Sequence, residues 1–358
     1  MSASRPVETA RAGIAHLDTG VAPALVARVV DSLHLDPRGR PLDSFPADDN
    51  GHGTATASLV LESAPDGAGL YVVKALDGGD VVTRILSGLC WIATRPVRVA
   101  CLAIGVKRRT PIFGPALAAL RARDILPVVS VGNGGAGRAF SPGWYPGVLS
   151  VGAVDDEGEV HARSGSDNDR QTRCLAPALL APGVDVLAMT PTGRRRRFTG
   201  TSMAAATVAG HVATLLQEFP RCSVHQIERA LLDTALPSAC GRRHHYRDGV
   251  VQLDAARRWL TQAPAVVARR VPELVGREAF VDPRLMRQCR RTEGPVRGLL
   301  QWRAGAEHIL DGVDGERVRT MPLARTAVLR AAPGVWRGLQ SAPEVCAVHA
   351  ADIDFLNA

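Results

Sequence analysis

Four short glycine-rich motifs carry side chains that could act together in nucleophilic catalysis. In chain order they are Asp18 in HLDTGV, His52 in DDNGHGTATAS, Asn133 in VVSVGNGG and Ser202 in TGTSMAAATVAG. A serine hydroxyl is a weak nucleophile until a neighbouring base such as histidine accepts its proton. A carboxylate can orient the imidazole, and an amide can donate a hydrogen bond to the oxyanion that follows attack. The four residue types therefore suit acyl transfer.

Each of the four residues also has an ordinary structural explanation. Asp18 fits an Asx turn before a glycine, and Asn133 fits a left-handed turn between two glycines. His52 and Ser202 both fit the start of a helix, where Ser is a frequent cap. These explanations are the more common ones for single residues. Their coincidence in this order and in these contexts favours the joint catalytic interpretation.

The elements that would position these residues alternate between apolar strands and helix-like stretches from residue 12 to about 190. The predicted strands are GIAHLDTGV, GLYVVKAL, VRVACLAIGV, ILPVVSVGN and GVLSVGAV, and the predicted helices are VVTRILSGLCWIAT and PALAALRAR. Such alternation is typical of an α/β fold, a parallel sheet with helices on both faces. Sites in these folds form at the carboxyl ends of strands, where Asp18 and Asn133 lie.

The second half of the chain predicts two further helices and a small separate unit. MAAATVAGHVATLLQEF is apolar on nearly all sides and predicts a buried helix, and SVHQIERALLDTAL predicts another with Ser223 as its N-cap. We expect one domain over residues 1–262, a linker over 263–293 and an α+β unit over 294–358. This last unit reads as strand, helix, two strands, helix, strand, a ferredoxin-like arrangement.

Composition and charge limit the classes of function. The 358 residues are 46% hydrophobic, which supports a large core. The formal net charge is +8, but the only tight arginine cluster is Arg194 to Arg197 and no nucleic-acid module is visible, so we expect no nucleic-acid partner. Seven scattered cysteines predict neither disulfides nor a metal site, and no cofactor is expected. Without a visible membrane span or signal peptide, we expect a cytoplasmic protein with no membrane partner.

The order Asp, His, Asn, Ser in these contexts resembles the subtilisin-like serine peptidases. The resemblance extends from residue 12 to about 260 and includes YVVKALDGG, YPGVLSVGAVD and LAPGVDVLAMT. It implies a subtilisin-like fold, a catalytic triad of Asp18, His52 and Ser202, and Asn133 as the oxyanion donor. It also implies a serine endopeptidase acting on a protein or peptide, which we expect to be limited proteolysis or maturation of an intracellular precursor. A catalytically silent binding or scaffold protein with the same fold is the alternative.

The chain departs from the family pattern at two places. The family often has His-Val-Ala-Gly where this chain has Ala55 to Ser58, and Pro-His where it has Ala206 and Thr207. Neither change removes a catalytic atom, so we expect altered packing rather than lost activity.

The resemblance also assigns a pocket for the residue before the scissile bond. Its walls would be Ala103, Ile104, Gly105, Ser130, Val131 and Gly132. Phe140 stands where a glycine often forms the floor, so we expect a shortened pocket that prefers Ala, Gly or Ser. The arginines from Arg194 to Arg197 would favour an acidic substrate, or would simply form a solvated loop.

The C-terminal segment TAVLRAAPGVWRGLQSAPEVCAVHAADIDFL resembles the latter half of a subtilisin prodomain. The resemblance implies an intramolecular inhibitor, a folding assistant or a substrate-presenting module. A docking domain without influence on catalysis is the alternative.

Overall fold

The computed structural model describes residues 12–76, 78, 80–107, 109–169, 174–238, 249–262, 280–303, 305–342 and 345–350. The strands are β1 (Gly13–Asp18), β2 (Val29–Leu35), β3 (Pro41–Leu42), β4 (Gly69–Lys74), β5 (Val99–Leu102), β6 (Leu126–Ser130), β7 (Leu149–Val154), β8 (Asp167–Asp169), β9 (Cys174–Ala176), β10 (Leu179–Pro182), β11 (Val186–Met189), β12 (Arg195–Phe198), β13 (Phe280–Val281), β14 (Val296–Trp302), β15 (Glu316–Met321), β16 (Thr326–Ala331) and β17 (Val345–Ala350). The α-helices are α1 (His52–Ser63), α2 (Val81–Ile92), α3 (Gly114–Ala122), α4 (Thr201–Glu218), α5 (Val224–Asp233), α6 (Leu253–Gln262), α7 (Pro283–Arg291) and α8 (Pro333–Leu339).

The main sheet has eight strands in the order β10-β7-β6-β5-β1-β4-β2-β3. All neighbours are parallel except β2 and β3, which are antiparallel. Because β1 lies between β5 and β4, its carboxyl end at Asp18 is in the middle of one sheet edge. This arrangement confirms the predicted α/β fold.

Two apolar layers cover the sheet. One contains buried residues of α1, α4, α5 and α6, and the other contains those of α2 and α3. Side chains alternate along β1 as expected for a strand, with Ile14 in the first layer and Leu17 in the second. The result is a sheet with helices on both faces, as the alternation of strand and helix patterns predicts.

Helix α4 carries Ser202 into the interior of the first layer. Small residues let it approach α1 closely: a Cβ added to Gly210 would lie 2.6 Å from the carbonyl oxygen of Val60. Helix α5 begins at the predicted cap, because Ser223 and Gln226 form a reciprocal capping box. Both helices were predicted from sequence and are confirmed.

The C-terminal unit is a second sheet in the order β13-β17-β14-β16-β15. Strands β16 and β17, joined by α8, flank β14 on either side, which is the split β-α-β arrangement of ferredoxin-like folds. The helix expected after β14 is instead a short 3₁₀ segment, Glu307–Gly312. Helix α7 packs against α8, β14 and β17.

Part of the segment 263–293, which was expected to be a linker, belongs to this second unit: the described residues 280–293 include a strand and a helix. β13 pairs in parallel with β17, with Phe280 opposite Ala347, and α7 follows directly. The C-terminal unit therefore includes residues from Phe280 onwards. Residues 263–279 lie outside the described part of the chain.

The C-terminal sheet packs against α2 and α3 of the first unit. Leu299 and Val328 belong to the same apolar cluster as the buried residues of those helices. The Gln301 side chain donates from Nε2 to the carbonyl oxygen of Ile112 at 2.8 Å, just before α3. The two units thus share a continuous core on this face of the main sheet. None of the helices in the described ranges is long and apolar enough to cross a membrane.

Candidate active site

The end of β1 and the start of α1 bring Asp18 and His52 together. Asp18 is fully buried, and His52 is the first residue of α1, after Gly51 in the left-handed conformation at φ 94°. The Asp18 Oδ1 to His52 Nδ1 distance is 2.7 Å. A carboxylate at this distance holds the proton on Nδ1 and leaves Nε2 as the basic nitrogen. Within the described residues, His52 Nε2 has no hydrogen-bond partner.

The electrostatics of this pair favour a charged carboxylate beside a strong base. Burial alone would raise the pKa of Asp18, but the charge and hydrogen bond of His52 and the backbone N–H of Thr19 lower it overall. Burial alone would lower the pKa of His52, but the neighbouring Asp18 carboxylate raises it. His52 is therefore better able to accept a proton than an isolated imidazole.

Asp48 fixes the loop that leads into α1. Its Oδ2 accepts hydrogen bonds from the backbone N–H and the hydroxyl of Thr54, at 2.7 and 2.5 Å. Its Oδ1 accepts from the hydroxyl of Thr19 at 2.8 Å and from the N–H of Gly51 at 2.9 Å. One buried carboxylate thus ties the residue after Asp18 to the residue before His52. Asp48 was not predicted from the sequence as a site residue, although an acidic residue just before a helix is a recognisable anchor.

The first turn of α4 brings Ser202 next to the motif that contains Asn133. Asn133 Oδ1 accepts a hydrogen bond from the backbone N–H of Thr201 at 3.1 Å, which leaves the Asn133 amide group as a donor. The N–H of Gly132 donates to the Thr201 hydroxyl at 3.2 Å. Ser202 lies at the positive end of the α4 dipole, among N–H groups without helical acceptors. Two hydrogen bonds therefore join the segment that holds the Asn133 amide to the first turn of α4, which holds the Ser202 N–H.

The Ser202 hydroxyl donates to the carbonyl oxygen of Ala103 at 3.2 Å. This hydrogen bond connects the first turn of α4 with the backbone after β5. Catalytic hydrogen bonds often form only when substrate is bound, so an active site can have this geometry before substrate binds.

The segments predicted as pocket walls lie side by side, with Phe140 between them. Ser130 donates to the carbonyl oxygen of Ile104 at 3.2 Å, which joins the two segments. The Phe140 ring is buried: a Cβ added to Gly105 would lie 2.9 Å from its Cβ and Cδ2, and one added to Gly132 would clash with the ring. The aromatic side chain fills the space that two glycines leave open.

The arginine cluster lies mostly on the exposed hairpin of β11 and β12. Arg195 pairs with Glu62 at 2.9 Å, Arg196 stacks on Phe198 with its Cζ 4.6 Å from the ring centroid, and Arg197 donates to the carbonyl oxygen of Asp185 at 2.8 Å. These contacts are mostly internal to the hairpin, as in a solvated surface element.

The sequence also matches a known protein family. The model of the subtilase family matches residues 14–265. The chain belongs to the subtilase family. Alkaline elastase YaB from Bacillus sp. (strain YaB) is 32% identical over 259 residues, which are 68% of this chain and 64% of that protein. Subtilisin Savinase from Lederbergia lenta is 32% identical over 68% of this chain and 90% of its own length.

Two further comparisons concern location and fold. An intracellular serine protease from Paenibacillus polymyxa is 31% identical over 225 residues, covering 57% of this chain and 66% of the relative. A solved serine-to-alanine mutant of the protease domain of PatA has the same fold, with a TM-score of 0.56 at 22% identity. That match covers 71% of this chain and 97% of the solved domain. The chain spans less than two thirds of the length of alkaline elastase YaB.

This subtilase has a second buried imidazole behind its Asp18 carboxylate, which sequence analysis missed. His16 Nε2 lies 2.9 Å from the Thr56 hydroxyl, and Thr56 Oγ1 lies 3.1 Å from Asp18 Oδ2. The carboxylate is the strongest acceptor near this hydroxyl, so His16 donates to Thr56 and Thr56 to Asp18. Burial lowers the pKa of His16, although the Asp18 charge opposes this shift. The sequence spacing could have predicted this contact, because His16 lies two residues before Asp18 on one strand and therefore on the same face of the sheet.

No group of three or more His, Cys, Asp or Glu side chains in the described ranges of this subtilase is arranged to hold a metal ion.

Proposed function

We propose that this chain is a serine endopeptidase with Asp18, His52 and Ser202 as its triad. The main support is the 2.7 Å hydrogen bond between Asp18 and His52 at the sheet edge. A second hydrogen bond joins Asn133 to the first turn of α4. The Asn133 amide and the backbone N–H of Ser202 would form the oxyanion hole. Membership of the subtilase family supports this assignment.

The reaction begins when the Ser202 hydroxyl turns from the Ala103 carbonyl towards His52 Nε2. His52 accepts the proton while Ser202 Oγ attacks the scissile carbonyl carbon, and Asp18 stabilises the imidazolium that results. Asn133 and the Ser202 N–H stabilise the oxyanion. His52 then returns the proton to the leaving amine, and water hydrolyses the acyl-enzyme by the same steps.

The buried Phe140 ring supports a preference for Ala, Gly or Ser before the scissile bond. We place the enzyme in limited proteolysis or peptide maturation inside the cell, and its similarity to a relative named as an intracellular serine protease supports that location. A peptide library cleaved by the full chain should show small residues at that position. Phe140→Gly should admit larger apolar residues, and a wild type that prefers large aromatic residues would refute the pocket assignment.

The C-terminal unit serves this enzyme as an intramolecular folding assistant or inhibitor. The core that this unit shares with α2 and α3 supports the proposal, because those helices would otherwise expose apolar residues to solvent. Residues 1–279 should recover little activity after denaturation unless residues 280–358 are supplied as a separate chain. Equal recovery with and without the second chain would point to a docking domain that has no role in folding.

A catalytically silent scaffold is the second candidate, and the hydrogen bond of Ser202 to Ala103 favours it. A fluorophosphonate probe separates the two functions, because it reacts only with an activated serine. The probe should label the wild type and the matched control Ser63→Ala, but not Ser202→Ala. An unlabelled wild type that still binds peptide would establish the scaffold instead.

A further inference from the structure

A cavity of about 680 Å³ opens beside Asn133, and positively charged side chains dominate its polar lining. Among the described residues, its charged lining consists of Lys107, Arg109, Arg138 and Arg163 together with one carboxylate, Asp167. The chain as a whole is basic, but these four cations come from three segments of the sequence, one of which holds both Lys107 and Arg109, and they converge on one cavity. We propose that this cavity binds an acidic side chain of the substrate, Asp or Glu, at a position close to the scissile bond other than the one directly before it. The proposal rests on the endopeptidase function proposed above.

One of the four cations is largely neutralised. Arg109 Nη2 lies 2.7 Å from Asp167 Oδ2, and the Arg109 guanidinium stacks on the Trp144 ring with its Cζ 4.3 Å from the centroid. This pair builds a fixed wall, because the ring and the carboxylate hold the guanidinium in one orientation. Its net contribution to the charge of the cavity is small.

The other three cations are not neutralised by carboxylates in the described part of the chain. Lys107, Arg138 and Arg163 are exposed, and no ion pair with Asp or Glu is formed by any of them there. Three like charges around one cavity raise each other's energy, and a bound carboxylate relieves that repulsion. Two of them are guanidinium groups, whose paired N–H donors match a carboxylate.

The position of the cavity relates it to the scissile bond. Asn133, the proposed oxyanion donor, forms part of the cavity wall, and so does Phe140. Because Phe140 fills the inner space against Gly105 and Gly132, a long apolar side chain gains little there. A carboxylate at the basic outer part of the cavity gains charge-assisted hydrogen bonds next to the reacting carbonyl.

The test uses full-length protein and matched fluorogenic peptides that differ only by Glu or Gln at single positions around the cleaved bond. At one position, the wild type should cleave the Glu peptide with a kcat/KM about tenfold higher than the Gln peptide, since charge-assisted hydrogen bonds from guanidinium groups are stronger than those to a neutral amide. The preference should shrink as salt rises from low to physiological concentration. Arg138→Gln and Lys107→Gln should each reduce it, and the triple variant with Arg163→Gln should abolish it while retaining cleavage of the Gln peptide.

The control is Arg258→Gln on α6, an exposed arginine that does not line the cavity and changes the net charge by the same amount. It should keep the wild-type preference. A wild type that cleaves Glu and Gln peptides equally at every position, or a triple variant that keeps the preference, would overturn the proposal.

The fluorophosphonate probe distinguishes failure of the proposed endopeptidase function from failure of the proposed acidic site. If the fluorophosphonate probe fails to label the wild type, the enzymatic function fails, and the acidic preference is then measured by fluorescence polarisation of labelled peptides on full-length Ser202→Ala. Tighter binding of the Glu peptide that the triple variant loses supports the acidic site without any turnover. Equal or absent binding of both peptides overturns it.

Discussion

Replacing Thr56 by Val removes the hydroxyl that links His16 to Asp18 and leaves two buried groups without it. His16 Nε2 loses an acceptor at 2.9 Å, and Asp18 Oδ2 loses a donor at 3.1 Å. Valine has nearly the same shape as threonine, so packing changes little. A buried polar group left unsatisfied costs about 1–3 kcal/mol, and Asp18 keeps its bonds to His52 and Thr19, so we expect the free energy of unfolding to fall by about 2–4 kcal/mol.

The second arm of this experiment is His16→Leu, alone and combined with Thr56→Val. In the His16→Leu background only Asp18 loses a partner when the hydroxyl is removed. Thr56→Val should then lower the free energy of unfolding by about 1–2 kcal/mol. The double-mutant cycle should therefore give a coupling free energy of about 1–2 kcal/mol. Urea unfolding at pH 8, where His16 is neutral in both states, measures all four free energies.

The pH dependence of unfolding checks the same network independently. Burial lowers the pKa of His16 below 6.5 in the folded chain. Below pH 6.5 the unfolded chain therefore binds a proton that the folded chain does not, and this contribution to stability is lost as pH falls. His16→Leu should flatten that acid-side loss. The coupled network would be refuted if the losses in unfolding free energy of the two single variants added to that of the double variant within about 0.5 kcal/mol, and if His16→Leu left the loss of stability at acid pH unchanged.

Further predictions concern catalysis and the contact between the two units. Asp18→Asn should lower kcat by about 10⁴-fold in a steady-state peptide assay, because His52 loses the carboxylate that fixes its tautomer. In the wild type, kcat/KM should rise with pH through an inflection above 6.5, because Asp18 raises the pKa of His52 and the base must be neutral; an inflection below 6.5 would contradict this. Asn133→Ala should lower kcat by about 10²–10³-fold with little change in KM, and an unchanged kcat would remove Asn133 from the oxyanion hole. Gln301→Leu should lower the free energy of unfolding by about 1–3 kcal/mol in urea, because the Ile112 carbonyl loses its buried donor.

The central sheet was predictable because its strands are short apolar runs between helical patterns. This pattern predicts β1, β4, β5, β6 and β7. The carboxyl ends of these strands place Asp18 and Asn133 at one edge of the sheet. β2 was missed because VVDSLHL mixes charged and apolar residues, and β3 because it has two residues only. These two strands at one side of the sheet owe their structure to pairing with β4 and with each other rather than to local preference.

Contacts between distant segments could not be predicted from one sequence. The link from His16 through Thr56 to Asp18 depends on the register of β1 against α1, and Thr56 drew attention only as a departure from the family pattern. The convergence of Lys107 and Arg163 on one cavity depends on how two loops fold back. β13 escaped prediction because it has only two residues and gains its structure by pairing with β17.

The core that α2 and α3 share with the C-terminal sheet has a consequence during protein synthesis. Both helices leave the ribosome well before β14 to β17 exist, so the apolar surface that Leu299 and Val328 later cover stays open to solvent. About 170 residues separate the end of α3 from β14, and translation at ~5–20 residues per second takes roughly 10–30 s over that distance. During that interval the nascent chain exposes an apolar surface of the kind that promotes aggregation, and ribosome pausing in this stretch would lengthen that exposure.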